Sequence, residues 1–201
     1  FYEEIVFSNI LLLLAFRKIY SLQSGLNTKK KLFDTGFWIG ISTLLYSWSI
    51  LFILLAYIAM IVYQKLSFKN LFIPLIGFIA PIFLFFTYHF YTDTMAFFES
   101  RFVFSSNLDF ENYNSFKLLV PIAYLIGIVM WSIVSVTPKV VLVSNKLKMS
   151  WSVLLSQFFI AGFLVLLSPV KNGSEILFLL FPASVIVANF LQKMESSIFK
   201  N

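Results

Sequence analysis

Long apolar runs separated by short charged segments dominate the chain. The runs cover residues 5–20, 36–63, 71–91, 116–136, 150–168 and 175–191. Most approach 20 residues, at which a helix rising 1.5 Å per residue crosses a hydrocarbon core of about 30 Å. In lipid the backbone must satisfy its own hydrogen bonds, which leaves helices or closed barrels. A barrel needs short alternating segments, and these runs do not alternate. The pattern therefore predicts an all-α fold, a polytopic transmembrane helical bundle. Ser115, before the fourth run, and Ser150, at the fifth, are the predicted N-caps.

The run at 36–63 has 28 residues without a charge. As one helix it would reach about 42 Å, too long for a crossing without strong tilt. Its middle holds Tyr46, Ser47, Trp48 and Ser49, the most polar stretch of the run. Trp favours the membrane interface over the bilayer centre. The expectation is a helical hairpin or broken span near residues 36–63, its tetrad set against protein or a wet cavity. A single tilted helix with Ser hydroxyls bonded back to their own carbonyls is the alternative.

Charge decides between them. If the run returns, segments 17–35, 64–70 and 137–149 and the tail share one side with 12 basic residues, leaving Arg101, Lys117 and Lys171 opposite. A single crossing would split them 7 against 8. Lys and Arg concentrate in cytoplasmic loops, so the hairpin is favoured. Gly36 and Gly40 form a GxxxG that lets another helix approach closely. Pro74 and Pro81 are expected to bend the third run. Residues 92–115 then form an acidic outer loop, with Asp93, Glu99, Asp109 and Glu111 against Arg101. Met95, Phe98 and Phe102 recur at helical spacing there, which predicts an amphipathic helix on the outer membrane surface. The stretch 105–115 reads as a turn-rich loop.

Composition narrows the class. Of 201 residues, 60% are hydrophobic and 12% charged, more apolar surface than a soluble domain of this length can hide. The 26 Phe accompany a preference for Lys, Ile and Asn that coding bias accounts for without an aromatic ligand. The net charge of +6 lies between the runs, so it orients the chain rather than binding nucleic acid. With no Cys and one His, thiolate chemistry, disulfides and Cys/His zinc sites are excluded. Nothing calls for a metal or a cofactor. Phe1, Tyr2, Glu3 and Glu4 do not make a signal-peptide n-region, so residues 1–201 read as a single membrane domain whose N-terminal start is missing.

Candidate chemistry is sparse. No Asp, Glu, Lys or Arg falls at a span centre; Asp34, Lys117 and Glu175 stand at run edges. That counts against an ion-coupled transporter. The cluster "YHFYTD" places His89 and Asp93 four residues apart, within reach along a helix for acid–base work. An interfacial aromatic belt with a snorkelling His is the plainer reading. Glu99 and Arg101 could bind a polar head group or pair across the loop, with simple solvation as the alternative. Lys29, Lys30 and Lys31 could hold anionic lipid head groups at about 1 kcal/mol each, although their topogenic role already explains them. No phosphate-binding Gly loop, nucleophile elbow or HExxH motif occurs.

The stretches "NILLLLAFRKIYSL", "FDTGFWIGISTLLYSWSILFILLAYI", "NLFIPLIGFIAPIFLFFTYHFYTD" and "GSEILFLLFPASVIVANFL" together resemble an uncharacterised family of bacterial inner-membrane proteins, known as a domain of unknown function. In layout the chain is also similar to membrane glycosyltransferases that use polyprenyl-phosphate sugars. There a helix bearing small residues, as Gly36 and Gly40 here, is followed by a short helix entering the membrane. A late span with Pro and small residues resembles Pro182, Ala183 and Ala188. That resemblance would require an acidic catalytic residue in the first outer loop, upstream of residue 1, so no catalytic role carries over. The resulting expectation is a multi-pass protein of the bacterial inner membrane, linked to lipid-linked cell-envelope components. Its hairpin tip and acidic loop would bound an outward cavity. Membrane lipids, other membrane proteins or a lipid-linked substrate are the partners this implies. A transferase-like enzyme and a non-enzymatic membrane subunit or scaffold are the alternatives.

Overall fold

A computed structural model describes residues 2–107, 113, 115–169 and 171–198. The described residues form helices and no strand. In chain order these are α1 (Tyr2–Ser21), α2 (Thr28–Leu45), α3 (Phe52–Val62), α4 (Phe68–Leu71), α5 (Ile73–Tyr91), α6 (Met95–Ser100), α7 (Phe116–Val143), α8 (Asn145–Leu167) and α9 (Leu177–Ile198). A 3₁₀ segment, Ser47–Leu51, leads directly into α3. Among the described residues, five helices are long and apolar enough to cross a membrane, and Ser47–Val62 is a shorter apolar helix. The chain is a multi-pass membrane protein.

The helices alternate direction between two ends. At one end Gln23 donates to the Lys146 carbonyl at 2.7 Å, and the Tyr63 and Ser150 hydroxyls lie 3.5 Å apart. At the other end Glu4, Ser47 and Arg101 meet. The basic segments at 17–35, 64–70 and 137–149 gather at the first, the basic end; Lys200 of the tail lies outside the described residues. Both flanks of the run at 36–63 therefore reach the same end, and the run is a hairpin. Its tip lies further out than a mid-membrane turn. The reason is that α2 starts at Thr28, eight residues before the apolar run, and its 18 residues cover about 27 Å. The tetrad thus stands level with the loop after α5.

Why the tip forms there is local. Tyr46 leaves the helical region (φ −142°, ψ 104°) and ends α2. At the opposite turn Gly25 closes the 3₁₀ turn Leu22–Ser24 that follows α1, with φ +72°, a left-handed conformation that costs glycine little. Phe16, Phe52 and Phe178 are the largest fully buried side chains; Phe16 meets Phe52 edge-on at 5.1 Å. They join α1, α3 and α9 into the main core, and a second core lies among α7, α8 and α9. Against α2 lies α5, backbone to backbone. Gly36 and Gly40 face Pro74, Phe78 and Pro81, while Gly77 faces Phe33 and Phe37.

Several expectations need correction. Ser150 is inside α8; the N-cap is Ser144, whose hydroxyl accepts from the Leu147 N–H at 3.2 Å. The helix continues through Lys146 and Lys148 because charged residues at a membrane edge need not break it. Within the basic segment 137–149 only Ser144 separates α7 from α8. Ser115 does precede α7, with its carbonyl accepting from the Leu118 and Leu119 N–H groups. Pro74 sits in the first turn of α5, where its missing N–H costs nothing, so it starts that helix. Pro81 is inside. The predicted amphipathic helix is short, Met95–Ser100, with Phe102 beyond it, its ring 5.0 Å from that of Phe98. Asp109, Glu111 and most of the 105–115 loop lie outside the described residues.

Candidate functional site at the far end

The tetrad is turned into the protein. Ser49 joins a buried serine cluster: the Ser8 hydroxyl lies 2.7 Å from that of Ser42 and 2.8 Å from that of Ser49. Ser42 also donates to the Ser8 carbonyl at 3.1 Å. This cluster bonds α1, α2 and the 3₁₀ segment at one level. Tyr46 stacks on Phe178 at 5.3 Å and donates to the Ser168 hydroxyl at 2.7 Å. Ser47 donates to the Arg101 carbonyl at 2.6 Å, and the Trp48 indole N–H donates to the Ser105 carbonyl at 3.0 Å. The Phe104 ring meets Trp48 edge-on at 5.5 Å. The tip donors are thus used to clasp the loop.

The loop residues divide. Arg101 pairs with Glu4 at 2.6 Å and stands 4.7 Å from the Phe97 ring centre, tying the loop to the start of α1. Glu99 is exposed. His89 does not snorkel: it is 7% exposed, against Phe85 at 4.4 Å and Phe97 at 5.2 Å. Its Nδ1 is 2.6 Å from the Thr94 hydroxyl. Asp93 is exposed past the end of α5 with φ +53°, so His89 takes Thr94 as its partner. At the basic end Lys31 donates to the Ser21 carbonyl (2.6 Å) and the Ser24 hydroxyl (2.7 Å), while Lys29 and Lys30 are exposed.

A second polar group lies beside the tip. Glu175 is fully buried at the start of the α9 region. One carboxylate oxygen accepts from the Tyr113 hydroxyl, and the other has no hydrogen-bond partner among the described residues. Lys171 is buried too. It donates to the Val165 and Leu166 carbonyls at 2.5 and 2.8 Å, satisfying backbone acceptors that the end of α8 leaves open. Burial lowers the Lys171 ammonium below its ordinary value, against the opposing pull of the Glu175 charge. Burial also raises the Tyr113 hydroxyl, and the bond to Glu175 adds to it. The sequence placed Glu175 only at a run edge. The available signal was "KNGSE", a Lys and a Glu four apart around an Asn-Gly turn, with too little chain between two spans for both to reach water.

Further along, α7 and α9 pack together and line a groove. Leu118 of α7 packs against Gly173, where an added methyl would lie 3.2 Å from its side chain. One to three turns deeper, Pro121, Tyr124, Leu125, Ile128, Leu180 and Ala183 line an apolar groove of about 350 Å³. Glu175 and Lys171 do not line this groove; Glu175 precedes its lining residue Leu180 by five positions along the chain. Among the described residues no His, Asp and Glu gather in a group that could hold a metal ion. No curated protein and no solved structure matches the chain. Residues 4–201 match a family of unknown function, DUF6427, and the chain belongs to that family.

Proposed function

We propose that this protein resides in the bacterial inner membrane and handles a lipid-linked component of the cell envelope. Its basic end would face the cytoplasm, as Lys and Arg prefer. The lipid would lie in the α7–α9 groove with its head group at the far end, near Glu175 and Lys171. The observation that carries this reading is the buried Glu175 carboxylate, with one oxygen unpartnered among the described residues, five positions before Leu180 of the groove lining. A buried, incompletely bonded charge costs stability and is commonly retained for a role.

The test uses a photoreactive polyprenyl-phosphate sugar added to membranes containing the full chain. Crosslinks should map to α7 and α9. Ser184→Trp, at an exposed position of the groove lining, should reduce them at least about ten-fold, the scale of a lost hydrophobic seat. Glu175→Gln, which keeps the Tyr113 bond but removes the charge, should alter preference among head groups. Crosslinks spread evenly over lipid-facing helices and indifferent to Ser184→Trp would overturn the proposal. Sugar transfer abolished by Glu175→Gln would favour the transferase alternative.

A further inference from the structure

We infer that the groove between α1 and α2 at the basic end binds the phosphodiester head group of an anionic bilayer phospholipid, with Arg17 as its main cation. The groove, about 390 Å³, is lined by Leu14, Arg17, Phe33, Asp34, Phe37 and Trp38 together with Lys18. Two cations and one carboxylate meet there. Lys18 is neutralised by Asp34 at 2.7 Å. Arg17 is exposed and has no ion-pair or hydrogen-bond partner among the described residues. The groove thus keeps one uncompensated positive charge, carried by a planar fork that matches a phosphate in a bidentate manner.

The apolar surroundings continue the fit. Phe7, Ile10 and Leu13 are 60%, 49% and 36% exposed, so an apolar stripe descends α1 and ends at Arg17. An acyl chain lying on that stripe delivers its head group to the guanidinium. Trp38, one turn beyond Asp34, puts an amphipathic ring at the depth where head groups meet hydrocarbon. The nearby Lys31 is engaged with Ser21 and Ser24, which leaves Arg17 the better placed cation.

The full chain, reconstituted in vesicles of phosphatidylethanolamine and phosphatidylglycerol, is extracted gently and its retained lipids are counted by native mass spectrometry. Phosphatidylglycerol should be retained preferentially. Arg17→Gln should reduce that preference about five-fold, the worth of one cation at a membrane surface. Asp34→Asn, which releases Lys18, should raise it, while Lys148→Gln, at an exposed lysine of α8 outside the groove, should leave it unchanged. Inorganic phosphate should not displace the lipid. An unchanged preference in Arg17→Gln, an equal loss in Lys148→Gln, or displacement by phosphate would each overturn the inference. Should Arg17→Gln not fold, absence of a gain in Asp34→Asn overturns it instead.

Discussion

Replacing Gly36 by leucine is expected to cost about 3 kcal/mol of stability and to unseat α5 from α2, because no room exists for a side chain. A single methyl at Gly36 would stand 2.0 Å from the Pro74 carbonyl oxygen and 2.9 Å from the Phe78 nitrogen. At Gly40 the nearest atom would be the Phe78 carbonyl oxygen at 2.5 Å, and at Gly77 the Phe33 oxygen at 2.3 Å. These are backbone atoms, which cannot swing aside as a side chain does. Relief requires two helices to separate along their contact, and that loses the dispersion of the whole interface. Gly127→Ala and Gly162→Ala are the controls. No atom lies within 4 Å of an added methyl at either position, so the change should stay within about 0.5 kcal/mol. Unfolding in mixed micelles by rising SDS measures all of them. Equal loss at Gly36 and Gly127 would contradict the packing described.

Lys171→Met is expected to cost about 2–4 kcal/mol. The substitution keeps the length and apolar stem of the side chain but removes the donor that serves two carbonyls at the end of α8, Val165 and Leu166. It also leaves the buried Glu175 charge without the cation that offsets it. The two effects can be separated. Combining Lys171→Met with Glu175→Gln removes the charge as well, so the double variant should recover part of the loss, leaving the cost of the two carbonyls. Recovery of about 1 kcal/mol or more marks the electrostatic share, in the range typical of coupled neighbours. Strict additivity in the same SDS titration would show that Glu175 and Lys171 act independently.

The helical class and the spans were legible because lipid imposes one strong rule, that each crossing be long, apolar and helical. The hairpin was legible for a different reason. Charge distribution records which end each loop occupies, and the flanks of 36–63 carry the same sign as the segment near residue 145. Helix ends were less readable. Ser150 looked like a cap only because the apolar run began there, whereas the helix starts at Asn145 in a charged stretch that hydropathy discounts. Gly36 and Gly40 announced close packing, yet their partner helix and the reciprocal Gly77 contact required the fold. The far-end polar group was hidden most thoroughly. Tyr113 stands 62 residues before Glu175 in the chain, and neither it nor the neighbouring Lys171 and Glu175 is distinctive alone. His89 and Asp93 looked like a pair on helical spacing, but α5 ends at Tyr91, which carries Asp93 out of register.

The most direct measurement is side-specific labelling of cysteines placed one at a time in this cysteine-free chain. Leu26 and Ser67 flank the hairpin and are exposed, and Ser106 lies in the loop at the other end. In intact cells an impermeant maleimide should label Ser106→Cys at once, and should reach Leu26→Cys and Ser67→Cys only after the membrane is opened. If Leu26→Cys and Ser67→Cys instead react from opposite sides, the chain traverses between them, and the hairpin on which the whole arrangement rests is wrong.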